Sequence, residues 1–178
     1  MNGMQGEVAD LRVSVYIQRA RATVQRLTEE KASRHDLLSY LTTVGEAISG
    51  GDSVSSILLL DEKGFLINGA SPKLPADYLQ AIDKLKPEEN VGTCAAAAAT
   101  GLIVITPDFL ADDKWAELKH LPMELGFQAA WSTPIMSKAG SVLGTFGTYY
   151  RERRSPSRSE IRDIGMLASI AADLLEGY

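Results

Sequence analysis

The sequence has few of the features that mark disulfide-rich, membrane-spanning or nucleic-acid-binding proteins. Its 178 residues include a single cysteine, so no disulfide can form within the chain, which fits a reducing cytosol. It has no run of about 20 apolar residues, and its N-terminus has no apolar signal-peptide core. The net charge of −5 provides no basic surface for nucleic acid. We therefore expect a cytoplasmic protein without membrane insertion and without a nucleic-acid partner.

The motifs of common enzymes and metal sites are also missing. There is no Ser-His-Asp pattern, no HExxH motif and no phosphate-binding loop. His35 and His120 have no partner ligand or nucleophile nearby in the sequence. Asp108, Asp112 and Asp113 are better explained as helix caps and solvated charges than as a metal site. We predict a protein that is not an enzyme and binds no metal, and the sequence identifies no cofactor.

Two hairpins dominate what is present. Ser55–Leu60 and Phe65–Ala70 flank the turn Asp61-Glu62-Lys63-Gly64, and Ala129–Ile135 and Ser141–Tyr150 flank Ser137-Lys138-Ala139-Gly140. Apolar, β-prone runs joined by a short connection with glycine predict antiparallel hairpins. Pro134 predicts a bulge or a strand end close by, and Gly144 and Gly147 predict points of close approach by another backbone or a ligand.

The last strand carries large side chains on both faces. Strict alternation places Val142, Phe146 and Tyr150 on one face and Leu143 and Tyr149 on the other. A strand that is apolar on both faces is typical of a sheet covered on both sides.

Helical patterns separate and flank these hairpins, at about 35–49, 75–85, 94–100 and from Pro156 to nearly the last residue, with a short strand at Leu102–Ile105. The order predicts an α+β fold, an antiparallel sheet with helices on one face and loops on the other.

The N-terminal segment to about Lys31 reads as a long helix with an apolar stripe. The stripe consists of Val13, Ile17, Ala20, Val24 and Leu27, at coiled-coil-like spacing. It predicts either a homodimer interface or a helix that packs on its own domain, and both remain open. We divide the chain into a signalling or dimerisation helix, residues 1–34, and a domain, residues 35–178.

The segment AAWSTPIMSKAGSVLGTFGTYYRERRSPSRSE, with the upstream VGTCAAAAATG and DFLADDKW, resembles a GAF domain. The likeness is to sensory GAF modules of bacterial histidine kinases and cyclic-di-GMP enzymes, and it runs from Leu37 to Leu175. It implies a central antiparallel sheet, a helical layer that includes both terminal helices, and a ligand pocket on the opposite face beneath residues 92–125. The signatures of the bilin-attaching and cyclic-nucleotide-binding members are absent. The methionine sulfoxide reductases in the family use several cysteines, whereas this chain has only Cys94.

The implied pocket makes a set of side chains candidates for ligand binding: Cys94, Thr106, Asp108, Trp115, Phe127, Trp131, Ser132 and Thr133. Cys94 has two interpretations. At a helix N-terminus it would be favoured as a reactive thiolate, whereas among alanines it is typical of a small buried apolar residue.

Three hypotheses follow. The first is a sensor that binds an unidentified small molecule, forms a homodimer through its terminal helices and signals to an output kinase or cyclase. The second is a ligand-free module for dimerisation and transmission, which a filled core around Trp115 and Trp131 would favour. The third is a redox sensor based on Cys94.

Overall fold

The computed structural model describes the backbone of residues 2–50 and 52–177, and the side chains of residues 15–50 and 52–177. The helices are α1 (Asn2–Glu29), α2 (Arg34–Ser49), α3 (Ala76–Ala81), α4 (Gly92–Thr100), α5 (His120–Glu124) and α6 (Arg158–Gly177), with a 3₁₀ turn at Asp113–Trp115. The strands are β1 (Val54–Leu60), β2 (Leu66–Ala70), β3 (Val104–Thr106), β4 (Ala129–Met136) and β5 (Val142–Tyr150).

The strands form one antiparallel sheet in the order β2-β1-β5-β4-β3, with β5 at its centre. The terminal helices α1 and α6 pack with α2 on one face, and α3, α4, the 3₁₀ turn and α5 cover the other. Both cores contain buried side chains from β5: Phe146 and Tyr150 belong to the core under the terminal helices, and Tyr149 belongs to the core under α4. The predicted α+β fold is confirmed.

A bulge in the β4–β5 hairpin changes which face of the sheet the first side chains of β5 occupy. The register shifts between Ile135 and Met136, so Ile135 pairs with Gly144 but Met136 pairs with Val142. An extra residue reverses the alternation beyond it. Val142 therefore packs on the α4 side and Leu143 on the side of the terminal helices, the reverse of the strict alternation that the sequence predicted. The predicted irregularity lies just after Pro134, which itself pairs with Thr145.

The two glycines of β5 lie at close approaches, as the sequence predicted. A Cβ atom at Gly144 would lie 2.2 Å from the carbonyl oxygen of Leu58 in β1. A Cβ atom at Gly147 would lie 3.0 Å from Cys94 Sγ in α4. The first glycine lets two central strands meet, and the second leaves room for a thiol above the sheet.

The apolar stripe of α1 is buried within its own chain. Ile17, Ala20 and Val24 lie in the core formed with α2 and α6, and Leu27 packs against it; the side chain of Val13 lies outside the described residues. These side chains are therefore not an exposed seam, because α2 and α6 already cover them. The outer side of α1 instead exposes Val15 and Tyr16.

Two predicted elements differ in extent. The helix α3 ends near Ala81 rather than Leu85, because Lys84 adopts a positive φ of 57° and Leu85 pairs with Leu66 in an isolated bridge. The strand β3 begins at Val104, and Leu102 before it is exposed. Among the residues described, no helix combines the length and apolarity that crossing a bilayer requires.

A pair of glycine-to-alanine substitutions tests the packing of β5 on β1. We expect Gly144→Ala to lower the free energy of unfolding by about 2 kcal/mol or more, because the new methyl group would overlap the backbone of β1. Gly165→Ala, in α6 with open space around the added atom, is the matched control and should raise it by about 0.5–1 kcal/mol. Urea unfolding of both variants gives the comparison, and equal stabilities would contradict the close approach.

Candidate functional site

A pocket lies between the sheet and the helices of the α4 face. Its lining is apolar except for one thiol, one threonine hydroxyl and the polar groups of two tyrosines and one tryptophan. The lining residues are Leu58, Tyr78, Ile82, Leu85, Val91, Gly92, Thr93, Cys94, Trp115, Leu118, Leu121 and Tyr149. The free volume inside is about 20 Å³, room for about one water molecule. In this conformation the pocket is narrow, and a larger ligand would need lining side chains to move.

Cys94 lies on the first turn of α4, and its thiol points at the sheet. Its Sγ is 3.0 Å from Ser132 Oγ on β4, and Ser132 donates to Thr93 Oγ1 at 2.9 Å. Burial raises the pKa of the Cys94 thiol, and the smaller opposite effects of the Ser132, Thr145 and Thr93 hydroxyls do not cancel it. The thiol is therefore protonated at neutral pH, which opposes the thiolate interpretation and agrees with the small buried residue.

Two tyrosines from distant parts of the chain meet beside Cys94. The hydroxyl oxygens of Tyr78, on α3, and Tyr149, on β5, are 2.7 Å apart, and their rings pack edge to face. Burial raises the pKa of both phenols, and for each the nearby thiol acts in the same direction. Both tyrosines are therefore neutral hydrogen-bonding groups.

Trp115 covers the pocket and is held by a short chain of hydrogen bonds. Its Nε1 donates to Thr106 Oγ1 at 3.1 Å, and Thr106 donates to Asp112 Oδ2 at 2.6 Å. The indole also packs on Phe109, with ring centroids 4.5 Å apart. Partial burial would raise the pKa of Asp112, but the hydrogen bonds from Thr106 and Lys114 and the charge of Lys114 outweigh it and hold that pKa below its ordinary value.

Trp131 and Thr133 lie on the other face of the sheet, so they are not part of this pocket. Trp131 Nε1 donates to the hydroxyl of Tyr150 at 2.9 Å, and that hydroxyl donates to Glu160 Oε1 at 2.9 Å. Thr133 follows Trp131 by two residues in β4 and therefore shares its face. The alternation of the strand separates them from Ser132, which alone of the three faces α4.

Glu160 connects this network to the start of α6. Its Oε2 accepts from the backbone N–H of Ser157, and Ser157 Oγ accepts from the backbone N–H of Glu160 at 3.1 Å, which together form a capping box. Arg154 forms an ion pair with Glu160 and lies over the ring of Tyr150. The central strands are thereby joined to the first turn of the last helix.

The other predicted ligand-binding residues lie near the pocket without lining it. Phe127 packs behind Tyr149, with ring centroids 5.1 Å apart, and under the Arg151 guanidinium. Asp108 accepts from the N–H of Leu110 and pairs with Arg153, which is the role of a turn residue. Within the part of the chain that the structure describes, no three or more His, Cys, Asp or Glu side chains are grouped so that they could hold a metal ion.

The residues that the sequence analysis missed are chiefly Tyr78, Thr93 and Tyr149. The alternation of β5 placed Tyr149 opposite Tyr150, which was the available signal. Tyr78 comes from a helix far away in the sequence, and no local pattern connects it with Tyr149. Thr93 is adjacent to Cys94 in the sequence, but no sequence feature distinguished it as a pocket residue.

Residues 31–176 match the sequence model of the GAF domain. The methyl sulfide methyltransferase-associated sensor of Methanosarcina acetivorans is 34% identical over 145 residues, which are 82% of this chain and only 14% of that protein. The chain thus spans a small part of this relative.

Two solved structures share the fold. A domain of a putative two-component sensor histidine kinase from Sinorhizobium meliloti has a TM-score of 0.68 at 21% identity, covering 82% of this chain and 92% of that one. Free methionine-R-sulfoxide reductase from Neisseria meningitidis, solved with its substrate, has a TM-score of 0.69 at 16% identity, covering 93% and 90%. At these identities the likeness concerns the fold alone. The second of these two proteins is an enzyme.

The environment of Cys94 predicts that its thiol reacts slowly with alkylating reagents. We expect iodoacetamide to alkylate native Cys94 at least about tenfold more slowly than the urea-unfolded chain, because the thiol is buried and its pKa is raised. Mass spectrometry of the alkylated protein over time measures both rates. Equal rates would instead support the redox hypothesis.

The cover formed by Trp115 should be sensitive to acid. The pKa of Asp112 in the folded protein lies below its ordinary value of 3.8. The contribution of its ionised carboxylate to stability is therefore complete above pH 3.8 and is lost as the pH falls through the lowered pKa. The fluorescence of Trp115, followed in a Trp131→Phe background, should therefore report a transition below pH 3.8 that precedes global unfolding. Asp112→Asn, which has no titrating carboxyl, should lack this transition, and its persistence there would contradict the assignment.

Proposed function

The chain belongs to the GAF domain family, and from this we propose that it is a sensory module that binds a small molecule under α4 and passes the signal to its terminal helices. One observation supports the ligand site above all: an apolar pocket between the sheet and α4 contains converging hydroxyls from α3, α4 and β5. Pockets of this composition, apolar with a few placed polar groups, are typical of small-molecule sites. The sensor named among the relatives supports the same role.

The central strand offers a route from the pocket to the terminal helices. Tyr149 faces the pocket and its neighbour Tyr150 faces α6 through the hydrogen bond to Glu160. A ligand that shifts β5 would therefore move the anchor of the first turn of α6. For a signal to pass, the ligand must bind one arrangement of this helix more tightly than another.

The proposed output is a histidine kinase or a cyclic-di-GMP enzyme of the diguanylate cyclase or phosphodiesterase type, reached through a homodimer of the terminal helices. Residues 1–34 would act as the signalling helix and residues 35–178 as the ligand-binding domain. Because Ile17, Ala20 and Val24 are covered by α2 and α6, a dimer contact would use the outer side of α1, where Val15 and Tyr16 are exposed.

A second candidate is the ligand-free transmission module. The small volume of the pocket and the nearly complete burial of Trp115 and Trp131 favour it, since a filled core transmits movement without a ligand. We rank it second because the buried hydroxyls converge on the pocket, a placement that apolar packing alone does not require.

Native mass spectrometry of the purified protein, before and after denaturation, distinguishes the two candidates. We expect an additional mass that is lost on denaturation. Adding the released fraction back should change the fluorescence of Trp115 in the Trp131→Phe variant, because Trp115 lines the pocket. In the Trp115→Phe control, Trp131 lies on the opposite face and should change less. A dimeric protein that carries no additional mass would contradict the sensor and support the transmission module.

A further inference from the structure

The hydrogen-bond chain that begins at Cys94 ends at a hydroxyl on the wall of the pocket. Ser132 donates its one hydroxyl hydrogen to Thr93, so the bond between Ser132 and Cys94 must use the thiol hydrogen. Thr93 accepts this bond, and its own hydroxyl also hydrogen-bonds with the Cys94 thiol, whose pKa it lowers. Thr93 is 2% exposed and lines the pocket. A buried hydroxyl therefore lies at the pocket wall.

The tyrosine pair leaves a buried donor without an acceptor. Tyr78 and Tyr149 share one hydrogen bond, which uses the hydrogen of one hydroxyl and leaves the other. No other partner of either hydroxyl occurs among the described residues, and the two side chains are 4% and 5% exposed. A buried hydrogen-bond donor without an acceptor is costly, so the tyrosine pair favours an acceptor in the pocket.

The same pocket disfavours charge. None of the described residues that line it carries a charged side chain. The raised pKa values of Tyr78, Tyr149 and Cys94 have burial as their first cause, which shows that an ion placed beside them would lose its hydration without gaining a counter-charge.

We propose that the pocket selects a small, neutral and largely apolar molecule that presents a hydrogen-bond acceptor, such as a carbonyl or ether oxygen, to the hydroxyls of Thr93 and the Tyr78–Tyr149 pair. This rests on the proposed function, because it assigns a ligand class to the site proposed there. Carboxylates and phosphates are excluded by the neutral lining.

Movement of the Trp115 indole would make room for a ligand. The pocket has room for about one water molecule, and the sheet and α4 form part of its lining. Trp115 lies on a short 3₁₀ turn and is held through Thr106, so it can leave without disturbing a long element. Trp115→Ala removes the cover and leaves a space about the size of a substituted benzene, at a cost in stability.

Calorimetric titration of the wild-type chain and of Trp115→Ala with three probes of similar size tests the ligand class. The probes are ethylbenzene, acetophenone and benzoate at neutral pH. In at least one of the two proteins, acetophenone should bind about tenfold more tightly than ethylbenzene, since only it has an acceptor, and benzoate should bind at least about tenfold more weakly than acetophenone.

Removing the hydroxyls should abolish the preference for acetophenone. The variant Tyr78→Phe/Tyr149→Phe/Thr93→Val deletes the three hydroxyls with little change in shape. For the tyrosine pair, deleting both partners of the hydrogen bond preserves the fold better than deleting one. The control Tyr40→Phe/Thr43→Val makes one substitution of each kind on α2, outside the pocket, and should retain the preference.

Three outcomes would overturn the proposal: equal binding of acetophenone and ethylbenzene, tighter binding of benzoate, or no binding of any probe to either protein. A preference that survives in the hydroxyl-free variant would overturn it as well. The proposed function fails separately, through the absence of a co-purified mass. A co-purified ligand that proves to be charged would support the sensor and refute this ligand class.

Discussion

The structure depends on one constraint, that the central strand β5 is covered on both faces. Its partners β1 and β4 continue two apolar layers, one beneath the terminal helices and one beneath α4. Each layer needs large side chains from the same short strand. Gly144 lets β1 approach this strand closely, and Gly147 leaves room for Cys94 above it. Because the strand alternates, every shift in β5 is felt in both cores at once.

This two-sided strand also separates the polar chemistry into two networks. On one side, Trp131, Tyr150 and Glu160 form a chain that ends at the cap of α6. On the other, the thiol of Cys94 and the hydroxyls of Ser132 and Thr93 form a chain that ends in the pocket. The first network has its partners and rigidifies the helix start. The second lines the pocket through Cys94 and Thr93.

Much of the fold could be predicted because its signals are local. Both hairpins, the last helix and the bulge near Pro134 follow from turn residues and periodicity within a short window. The candidate site was predicted less well. Trp131, Ser132 and Thr133 were grouped because they are adjacent, although adjacent strand residues face opposite ways. The stripe of α1 was compatible with a partner chain or with α2 and α6, and a periodic pattern has no information about which surface covers it.

The sequence by itself determined the two hairpins of the sheet, the resemblance to the family and the absence of a disulfide framework. It also identified Cys94 as a residue with two possible states. Only the tertiary structure decided between them, because the state of a thiol depends on burial and on neighbours from other strands, here Ser132 and Thr145. The meeting of Tyr78 and Tyr149 was likewise decided by packing, since contacts across long stretches of chain arise from the folding of whole elements and not from any local pattern.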